Sequence, residues 1–586
     1  MSYACDNERI VPEKEHRERL DSSEVSNMDG DEDRKGKIML VDDDPTTRMA
    51  MSIMLGNEGF VVYDAESPHE ALNSFEGESF DAIISDINMK PIDGFAFRDI
   101  IRRRNAEVPV IFLTSRQNDE DNRLLQDINN DFYSHYVPKS PNATFLKNKL
   151  RQVIRYYRYQ MKVEKLEARM ERNLELASIV QFSMLPPWVR FEANYEFSCF
   201  YKPLGKVSGD LFDWIQIDES RCLAIFGDIS GHDTAAALGM TAVQSFVSQI
   251  VTTYKEELGF QPHKIVQELE DFIIRHLAPA VYMCGIVIFW DFENNIVSFH
   301  NAGHKDIIAY DTAKREFVNL NPEKKGSMAM GMTPGTKHLA EENVTCHFSD
   351  ETIFLIASDG LGDLSKDSGG NNYIDDNQRQ LNGLIEILAL QSVKEDNTVS
   401  MPYRLYDALG QVGYSYPQDD CLLFMLRKPS HMNREKIFVC RLSPNNVAVD
   451  NVGDEASKFI LEKTSDVVLA EEAELLIEEH MNNIVKHGLS SYKRENDYIV
   501  LKVAFIPDAL KVTIWDRGTQ MPNVQTGGLL NPDAQLDLVN EMQLGSGRGL
   551  SIISKIASEI NRQRFSGLNE TVFTIPYKSG SRYEEM

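Results

Sequence analysis

Short apolar runs alternate with amphipathic stretches along this chain, and this alternation limits the fold more than any other feature of the sequence. From Lys37 to about Arg155 the apolar runs are IMLV, DAIIS and VPVIFLT. Strands that alternate with helices indicate βα repeats and a parallel sheet. The whole chain has 586 residues, which is too long for one hydrophobic core, so the sequence predicts a multidomain α/β protein.

Polar residues stand where the first strands end. The relevant strings are LVDDDP, IISDINMKPIDGF, FLTS and YVPKS. Because strand ends converge on one edge of a doubly wound sheet, this edge should gather Asp42, Asp43, Asp86, Thr114 and Lys139. Three carboxylates there require a hard cation such as Mg²⁺. Asp86 can then act as a carboxylate nucleophile toward a phosphoryl group.

This set resembles the response-regulator receiver domain, which has a flavodoxin-like fold. The resemblance implies that the acidic pair after the first strand holds Mg²⁺ together with Asp86, which becomes phosphorylated. It also implies that Thr114 is the switch hydroxyl, Tyr136 the rotating aromatic residue and Lys139 the conserved lysine. An upstream histidine kinase or phosphotransfer protein would then be a partner. We place this domain at residues 36–145.

A charged segment from roughly Leu146 to Gln181 contains neither proline nor glycine. Apolar residues recur along it from Leu150 to Ile179 at helical spacing, which predicts a long helix with an apolar stripe. Such a stripe favours pairing with another helix, so a homodimer formed through this segment is a reasonable expectation. We assign residues 146–187 to a helical, coiled-coil-like linker.

From 188 to 430 the strand-like segments carry acidic motifs at their ends. SGDLFDW contains Asp210, GDISGH contains Asp228, ASDG contains Asp359, and QDDCL contains Asp419 and Asp420. Carboxylates that met at one edge would repel each other strongly. Two divalent cations about 4 Å apart remove this difficulty and can activate a water for phosphoryl transfer. Spacing alone does not separate the last two aspartates.

These strings, and the helix ending ASIVQFSMLPP, resemble the PP2C-like phosphatases of the SpoIIE/RsbU type. The resemblance implies a PP2C-like α/β sandwich and a protein serine/threonine phosphatase that uses two Mn²⁺ or Mg²⁺ ions. Asp210 and Asp228 would be catalytic metal ligands, with the carbonyl of Ile229 assisting. Asp359 and Asp419 would complete the site, which favours Asp419 over its neighbour as the ligand.

The last unit, 431–586, has polar residues on one face of a predicted helix near 466–487. Glu479, Asn483 and His487 are spaced i, i+4, i+8. A register one residue earlier, with Glu478, has the same spacing. We prefer the first register because Gly488 follows it. Farther along, WDRG supplies Asp516 and Gly518, and GSGRGL supplies Gly545, Gly547 and Gly549.

Together these motifs resemble the GHKL (Bergerat) ATP-binding fold of the anti-sigma-factor serine kinases. The resemblance implies that Asn483 holds Mg²⁺, that Asp516 accepts a hydrogen bond from the adenine amino group, and that the glycines let backbone amides approach phosphates. Glu479 would polarise the attacking serine hydroxyl.

The domain order resembles partner-switching regulators of the HsbR type. That resemblance implies a phosphatase that acts on a phosphorylated anti-sigma-factor antagonist of the STAS type. It also implies a kinase-like domain that opposes the phosphatase or binds a sigma or anti-sigma factor. The alternative is a phosphorylation-gated scaffold that binds these proteins without catalysis. Metal-dependent release of phosphate from a phosphoserine protein separates the two.

Charge and composition narrow the class of partners. The net charge of -29 disfavours nucleic acid and anionic membranes. The first 35 residues are charged and lack an apolar core, so we expect a disordered tail rather than a secretory signal. Seven scattered cysteines without C-x-x-C spacing are typical of reduced thiols in a cytoplasmic protein, and they predict no zinc site.

Overall fold

The structure is a computed structural model that describes residues 36–103, 107–114, 131–139, 143–231, 234–254, 261–279, 281–429, 436–489, 498–520 and 548–577. The chain divides into two compact units, Met1–Glu171 and Arg172–Met586. The predicted tail and two of the predicted phosphate-loop glycines, Gly545 and Gly547, lie outside the described residues.

The first unit contains a five-stranded parallel sheet with the order β2-β1-β3-β4-β5. Its elements are β1 (Lys37–Val41), α1 (Pro45–Asn57), β2 (Val61–Ala65), α2 (Pro68–Gly77), β3 (Ala82–Asp86), α3 (Gly94–Arg102), β4 (Val110–Thr114) and β5 (Ser134–Pro138). Every residue of β3 is buried, as expected when helices cover both faces of a parallel sheet. The flavodoxin-like prediction for this domain is confirmed.

The long helix α4 runs from Ala143 to Met184, slightly beyond the predicted limits at both ends. Leu150 and Ile154 in its first turns are buried in the core of the parallel sheet. One turn later, Arg158 donates hydrogen bonds of 2.9 and 2.7 Å to the carboxylate of Asp81. The start of α4 therefore completes the first domain.

Two antiparallel sheets form the next domain, with the orders β14-β11-β10-β9-β8 and β13-β12-β15-β16-β7-β6. Their strands are β6 (Val189–Phe191), β7 (Glu196–Lys202), β8 (Asp210–Gln216), β9 (Arg221–Ile229), β10 (Met283–Asp291), β11 (Ile296–Ala302), β12 (Ile308–Asp311), β13 (Glu316–Val318), β14 (Val344–His347), β15 (Thr352–Ala357) and β16 (Cys421–Arg427). The helices are α5 (Thr234–Tyr254), α6 (Pro262–His276), the short turn α7 (Asp359–Gly362), α8 (Gln378–Lys394) and α9 (Met401–Gln411).

An aromatic core that includes Phe226, Trp290 and Phe424 lies between the two sheets. Helices α5 and α6 pack on the outer face of the first sheet, and α8 and α9 pack on the second. This four-layered arrangement confirms the predicted PP2C-like sandwich. Among the described residues, no helix has the length and apolar character that a membrane span needs.

The last domain has a five-stranded sheet with the order β17-β18-β19-β21-β20. Its elements are β17 (Ile437–Leu442), α10 (Asn446–Thr464), α11 (Val467–Asn483), β18 (Ile499–Ile506), β19 (Ala509–Asp516), α12 (Arg548–Ile556), β20 (Glu559–Phe565) and β21 (Leu568–Pro576). A π-helical turn, Ile484–Gly488, extends α11 over the range predicted as one helix. Gly549 lies in the first turn of α12.

This domain packs against the preceding one within the second compact unit. Val500, Trp515 and Leu568 belong to the same buried cluster as Tyr403 and Leu405 of α9. The interface is therefore built like a domain interior, and the two domains share one hydrophobic core.

Candidate functional site

The acidic residues of the parallel sheet meet at its carboxyl edge, as predicted. Asp42, Asp43 and Asp86 each place one carboxylate oxygen within 4.8 Å of the other two. Lys139 Nζ lies 2.8 Å from Asp86 Oδ2 and 3.2 Å from Asp42 Oδ2. Burial raises the pKa of Asp42, and the lysine opposes that effect. The result is a compact pocket of oxygen ligands with one ammonium group at its edge, which suits a hard cation and a phosphoryl group.

Two nearby features belong to the predicted switch. The ring of Tyr136 stacks on Phe112 with 5.3 Å between ring centroids. Thr114 ends β4, and its side chain lies outside the described residues.

Gly94 opens α3, and a Cβ there would stand 2.3 Å from the Asp86 carbonyl oxygen, so only glycine fits this close approach.

In the sandwich domain the predicted aspartates come together. Asp210 and Asp228 are paired residues on β8 and β9. Burial raises the pKa of Asp210 well above its ordinary value, and Asp228, Asp420 and Asp359 raise it further. Burial also raises the pKa of Asp228 to about 7, with Asp359, Asp419 and Asp420 contributing. These carboxylates therefore share one electrostatic environment.

Asp210 is the most constrained member of this cluster. It is 1% exposed, and among the described residues only the Ser358 hydroxyl is near enough to its carboxylate to lower its pKa through a hydrogen bond. A buried, unpaired carboxylate is costly unless a cation or a proton neutralises it. Carboxylate oxygens are the donors that a hard cation prefers, although no three of these described aspartates place an oxygen each within 4.8 Å of the other two.

The two adjacent aspartates before β16 make different contacts. The oxygens of Asp420 accept hydrogen bonds from the backbone N–H groups of Leu204, at 2.7 Å, and Gly209, at 2.8 Å. Asp419 is less buried, and its Oδ1 accepts from the Asp420 N–H at 2.8 Å. A Cβ on Gly360 would stand 1.9 Å from the Asp420 carbonyl oxygen, so this turn also requires glycine. Asp420 thereby holds the loop that leads into β8.

The end of α4 touches the same loop through a residue that sequence reasoning did not select. Gln181, 2% exposed, donates from Nε2 to the Ser208 carbonyl at 2.6 Å and accepts from the Ser208 N–H at 3.0 Å. The next residue, Gly209, is close enough to Ile229 that an added Cβ would stand 2.7 Å from its carbonyl oxygen. The only sequence signal was a lone amide in the mostly apolar segment ASIVQFSM.

A further acidic residue was also missed. Asp363 follows Asp359 by one helical turn, and burial raises its pKa, with Asp359 adding to the effect and Lys305 opposing it. Lys305 itself forms an ion pair with Asp375. The i, i+4 spacing of aspartates in ASDGLGD was the available signal.

In the last domain two separate motifs meet through their backbones. A Cβ on Gly518 would stand 2.7 Å from the Gly488 carbonyl oxygen, to which Thr519 N–H donates at 2.8 Å. Asp516, 3% exposed, accepts from the Gly518 N–H at 2.8 Å and from Asn569 Nδ2 at 2.9 Å. The WDRG turn and the end of the α11 segment therefore form one site.

The two candidate sets of residues on α11, one beginning at Glu478 and the other at Glu479, have different surroundings. Glu478 faces α10, where its Oε1 would lie 2.8 Å from a Cβ on Gly453, and burial raises its pKa. Glu479 is partly exposed, Asn483 is the last residue of α11, and His487 is exposed in the π-helical turn.

Comparison with known proteins assigns three families to the chain. Residues 38–150 match the response regulator receiver domain, 218–429 match stage II sporulation protein E (SpoIIE), and 442–575 match the histidine kinase-like ATPase domain.

Individual relatives agree with these matches. The phosphoserine phosphatase RsbU of Bacillus subtilis is 21% identical over 276 residues, which cover 46% of this chain and 75% of RsbU. The phosphoserine phosphatase RsbP of the same organism is 28% identical over 151 residues, 24% of this chain and 34% of RsbP. The chain thus spans only about a third of RsbP. A crystal structure of the RsbU and RsbW domains of Rv1364c from Mycobacterium tuberculosis aligns with a TM-score of 0.35 at 16% identity, covering 67% of this chain and 96% of that one.

Proposed function

Since the chain is a response regulator that joins a receiver to a SpoIIE-type, PP2C-like domain and a histidine kinase-like ATPase domain, we propose that it is a receiver-controlled partner-switching phosphatase. Its substrate would be a phosphorylated serine of a STAS-type anti-sigma-factor antagonist. The observation that carries this proposal is the buried, unpaired carboxylate of Asp210 amid further aspartates.

In the phosphatase domain, Asp210 and Asp228 would bind two Mn²⁺ or Mg²⁺ ions, with Asp359, Asp419 and the carbonyl of Ile229 completing the ligands. Such a pair of ions, when bound, supplies an activated water and stabilises the charge of the phosphoryl group. The chain's own task is to hold these oxygens in place. The two backbone amides on Asp420 support a role for that residue in fixing the loop rather than in binding metal.

In the receiver, Asp86 would accept a phosphoryl group from a histidine kinase or phosphotransfer protein. Asp42, Asp43 and Asp86 would hold Mg²⁺, and Lys139 would neutralise the incoming oxygens, which its 2.8 Å contact with Asp86 supports. The side chains of Thr114 and Tyr136 would then change position in response to phosphorylation of Asp86.

In the ATPase domain, Asn483 would hold Mg²⁺ and Asp516 would recognise adenine. Gly518, together with Gly545, Gly547 and Gly549, would let the backbone approach the nucleotide. Glu479 would act as the base of a serine kinase that rephosphorylates the antagonist. Glu478 packs toward Gly453 of α10, which supports the first register, beginning at Glu479.

Control by the receiver would pass through α4, whose first turns belong to the receiver core and whose last turn places Gln181 beside the loop of Asp210. Exposed apolar residues on α4, such as Leu166 and Met170, support a homodimer through this helix. We place the protein in the cytoplasm, where sigma and anti-sigma factors are found.

The test uses the full chain, the phosphorylated antagonist and Mn²⁺ or Mg²⁺, followed by phosphate-sensitive electrophoresis. We expect release of phosphate by the wild type, and Asp228→Asn should reduce it at least ~100-fold, because a ligand to the reacting centre is lost. Glu293→Gln, an exposed carboxylate in the β10–β11 turn, is the matched control and should stay fully active.

Two comparisons extend this assay. With a small-molecule phosphodonor, the wild type should become more active than Asp86→Ala, and equal rates would refute control by the receiver. Adding ATP should restore the phosphorylated antagonist in the wild type but not in Glu479→Gln. If the antagonist binds but no metal-dependent phosphate release occurs, the chain is a phosphorylation-gated scaffold instead.

A further inference from the structure

A second cluster of metal-ligating side chains lies in the phosphatase domain, and it shares no residue with the aspartate site. His300 on β11 meets His338 and Glu342 from the loop before β14, and each offers one ligand atom within 4.8 Å of the other two. Both histidines are almost completely buried, and Glu342 is partly exposed. His338 and Glu342 lie four positions apart in one loop, and the fold brings His300, which is distant in sequence, to them.

Hydrogen bonds fix the tautomer of His300. Asn343 Nδ2 lies 2.9 Å from His263 Nδ1, which directs the amide oxygen of Asn343 to His300 Nδ1 at 3.0 Å. Nδ1 of His300 therefore carries the proton, and its Nε2 presents a lone pair toward Ser327 Oγ at 2.9 Å.

The same hydroxyl lies 2.7 Å from His338 Nδ1. His338 Nε2 faces the buried Glu270 carboxylate at 3.7 Å and has no hydrogen-bond partner within the described part of the chain. When the proton of His338 is on Nε2, toward that carboxylate, Nδ1 has a lone pair, and two imidazole lone pairs face the single proton of Ser327.

A cation resolves this mismatch. Neutral imidazoles with a carboxylate form the ligand set that Zn²⁺ favours, with a hydroxyl or water in the fourth position. Metal-binding histidines usually donate their other N–H to an amide or carboxylate oxygen, which is the arrangement of His300 with Asn343; His338 Nε2 faces the Glu270 carboxylate at 3.7 Å without a hydrogen bond. Burial lowers the pKa of both histidines, which keeps them in the neutral form that binds metal.

We infer that His300, His338 and Glu342 form a structural Zn²⁺ site, with Ser327 as a fourth oxygen donor, that fastens the loop before β14 to β11. Such a site links metal binding to the stability of the fold. The inference stands apart from the phosphatase proposal, because none of its ligands belongs to the aspartate cluster.

Cobalt provides a specific probe, because tetrahedral Co²⁺ absorbs visible light strongly and six-coordinate oxygen sites do not. The full chain, stripped of metal, should develop visible bands on titration with Co²⁺ and lose them when Zn²⁺ is added. Glu342→Gln keeps an acceptor for the Leu339 N–H but loses the charge, and should weaken Co²⁺ binding at least ~10-fold.

Three variants make the result decisive. Glu341→Gln, the exposed neighbour, should titrate like the wild type. Asp228→Asn should keep the bands, since it alters only the aspartate site. His338→Gln should abolish them, and if that variant does not fold, Glu342→Gln still decides. Absence of visible bands in the wild type, or identical titrations for wild type and Glu342→Gln, would overturn the inference.

Discussion

Asp213 on β8 is a partly buried carboxylate whose pKa makes the stability of its domain depend on pH. Burial raises its pKa to about 6, although the Trp214 N–H donates to Oδ1 at 2.8 Å. Between about pH 4 and that value, the folded chain keeps a proton that the unfolded chain has released. The contribution of Asp213 to the free energy of unfolding therefore falls as the pH rises through this window and is constant above it.

We expect Asp213→Asn to raise the free energy of unfolding at pH 8 by about 1–2 kcal/mol, because the amide avoids the buried charge. At pH 3.5, where Asp213 is protonated in both states, the variant should match the wild type. Denaturant unfolding at both pH values measures this. Glu219→Gln, an exposed carboxylate nearby, should be neutral at both, and an equal gain from that control would contradict the argument.

At the scale of elements, the decisive contact is between the end of α4 and the loop that presents Asp210. Gln181 makes two hydrogen bonds to the Ser208 backbone, one as donor and one as acceptor. Each buried hydrogen bond contributes about 1 kcal/mol, and the backbone groups that it satisfies would be left unpaired without it. The position of the loop therefore depends on the position of the helix.

We expect Gln181→Ala to lower phosphatase turnover about 10-fold or more and to remove the response to a phosphodonor, since the loop loses its link to α4. Asn173→Ala, an exposed change two turns earlier in the same helix, is the matched control and should respond normally. Turnover of the phosphorylated antagonist with and without phosphodonor is the measurement. If the phosphodonor stimulates Gln181→Ala as much as the wild type, the receiver does not act through the contact between Gln181 and Ser208.

The sequence predicted the strands and helices in which apolar and polar residues recur at a regular short spacing. Apolar runs ending in Asp86 and Asp228 revealed strands with acidic ends, because a strand's burial pattern is visible in consecutive residues. The contact of Gln181 with Ser208 and the meeting of His300 with His338 could not be predicted. Those pairs depend on how loops and helices from distant parts of the chain pack together. The polarity of a single residue does not indicate which residue it will contact.

At the scale of the molecule, the phosphatase and ATPase domains behave as one body because they share a core and a buried ionic network. Arg404 on α9 lies 2.8 Å from Glu570 Oε1, and Trp515 Nε1 donates to Glu570 Oε2 at 2.7 Å. Glu570 is 5% exposed, so its charge depends on these partners. Trp515 directly precedes Asp516, so the network adjoins the proposed nucleotide site along the chain.

Arg404→Ala should therefore destabilise both domains together, by about 3 kcal/mol, because it leaves a buried carboxylate without its cation. Scanning calorimetry of the full chain should show the transition of these two domains shifted to lower temperature as one peak. Phosphatase activity that survives heating should fall over the same range. Arg379→Ala, an exposed change on α8, should leave both curves in place.

Separate peaks for the two domains in the wild type would mean that the shared core does not couple them. A nucleotide at the proposed Asp516 site would then have no route to the phosphatase domain through this shared core.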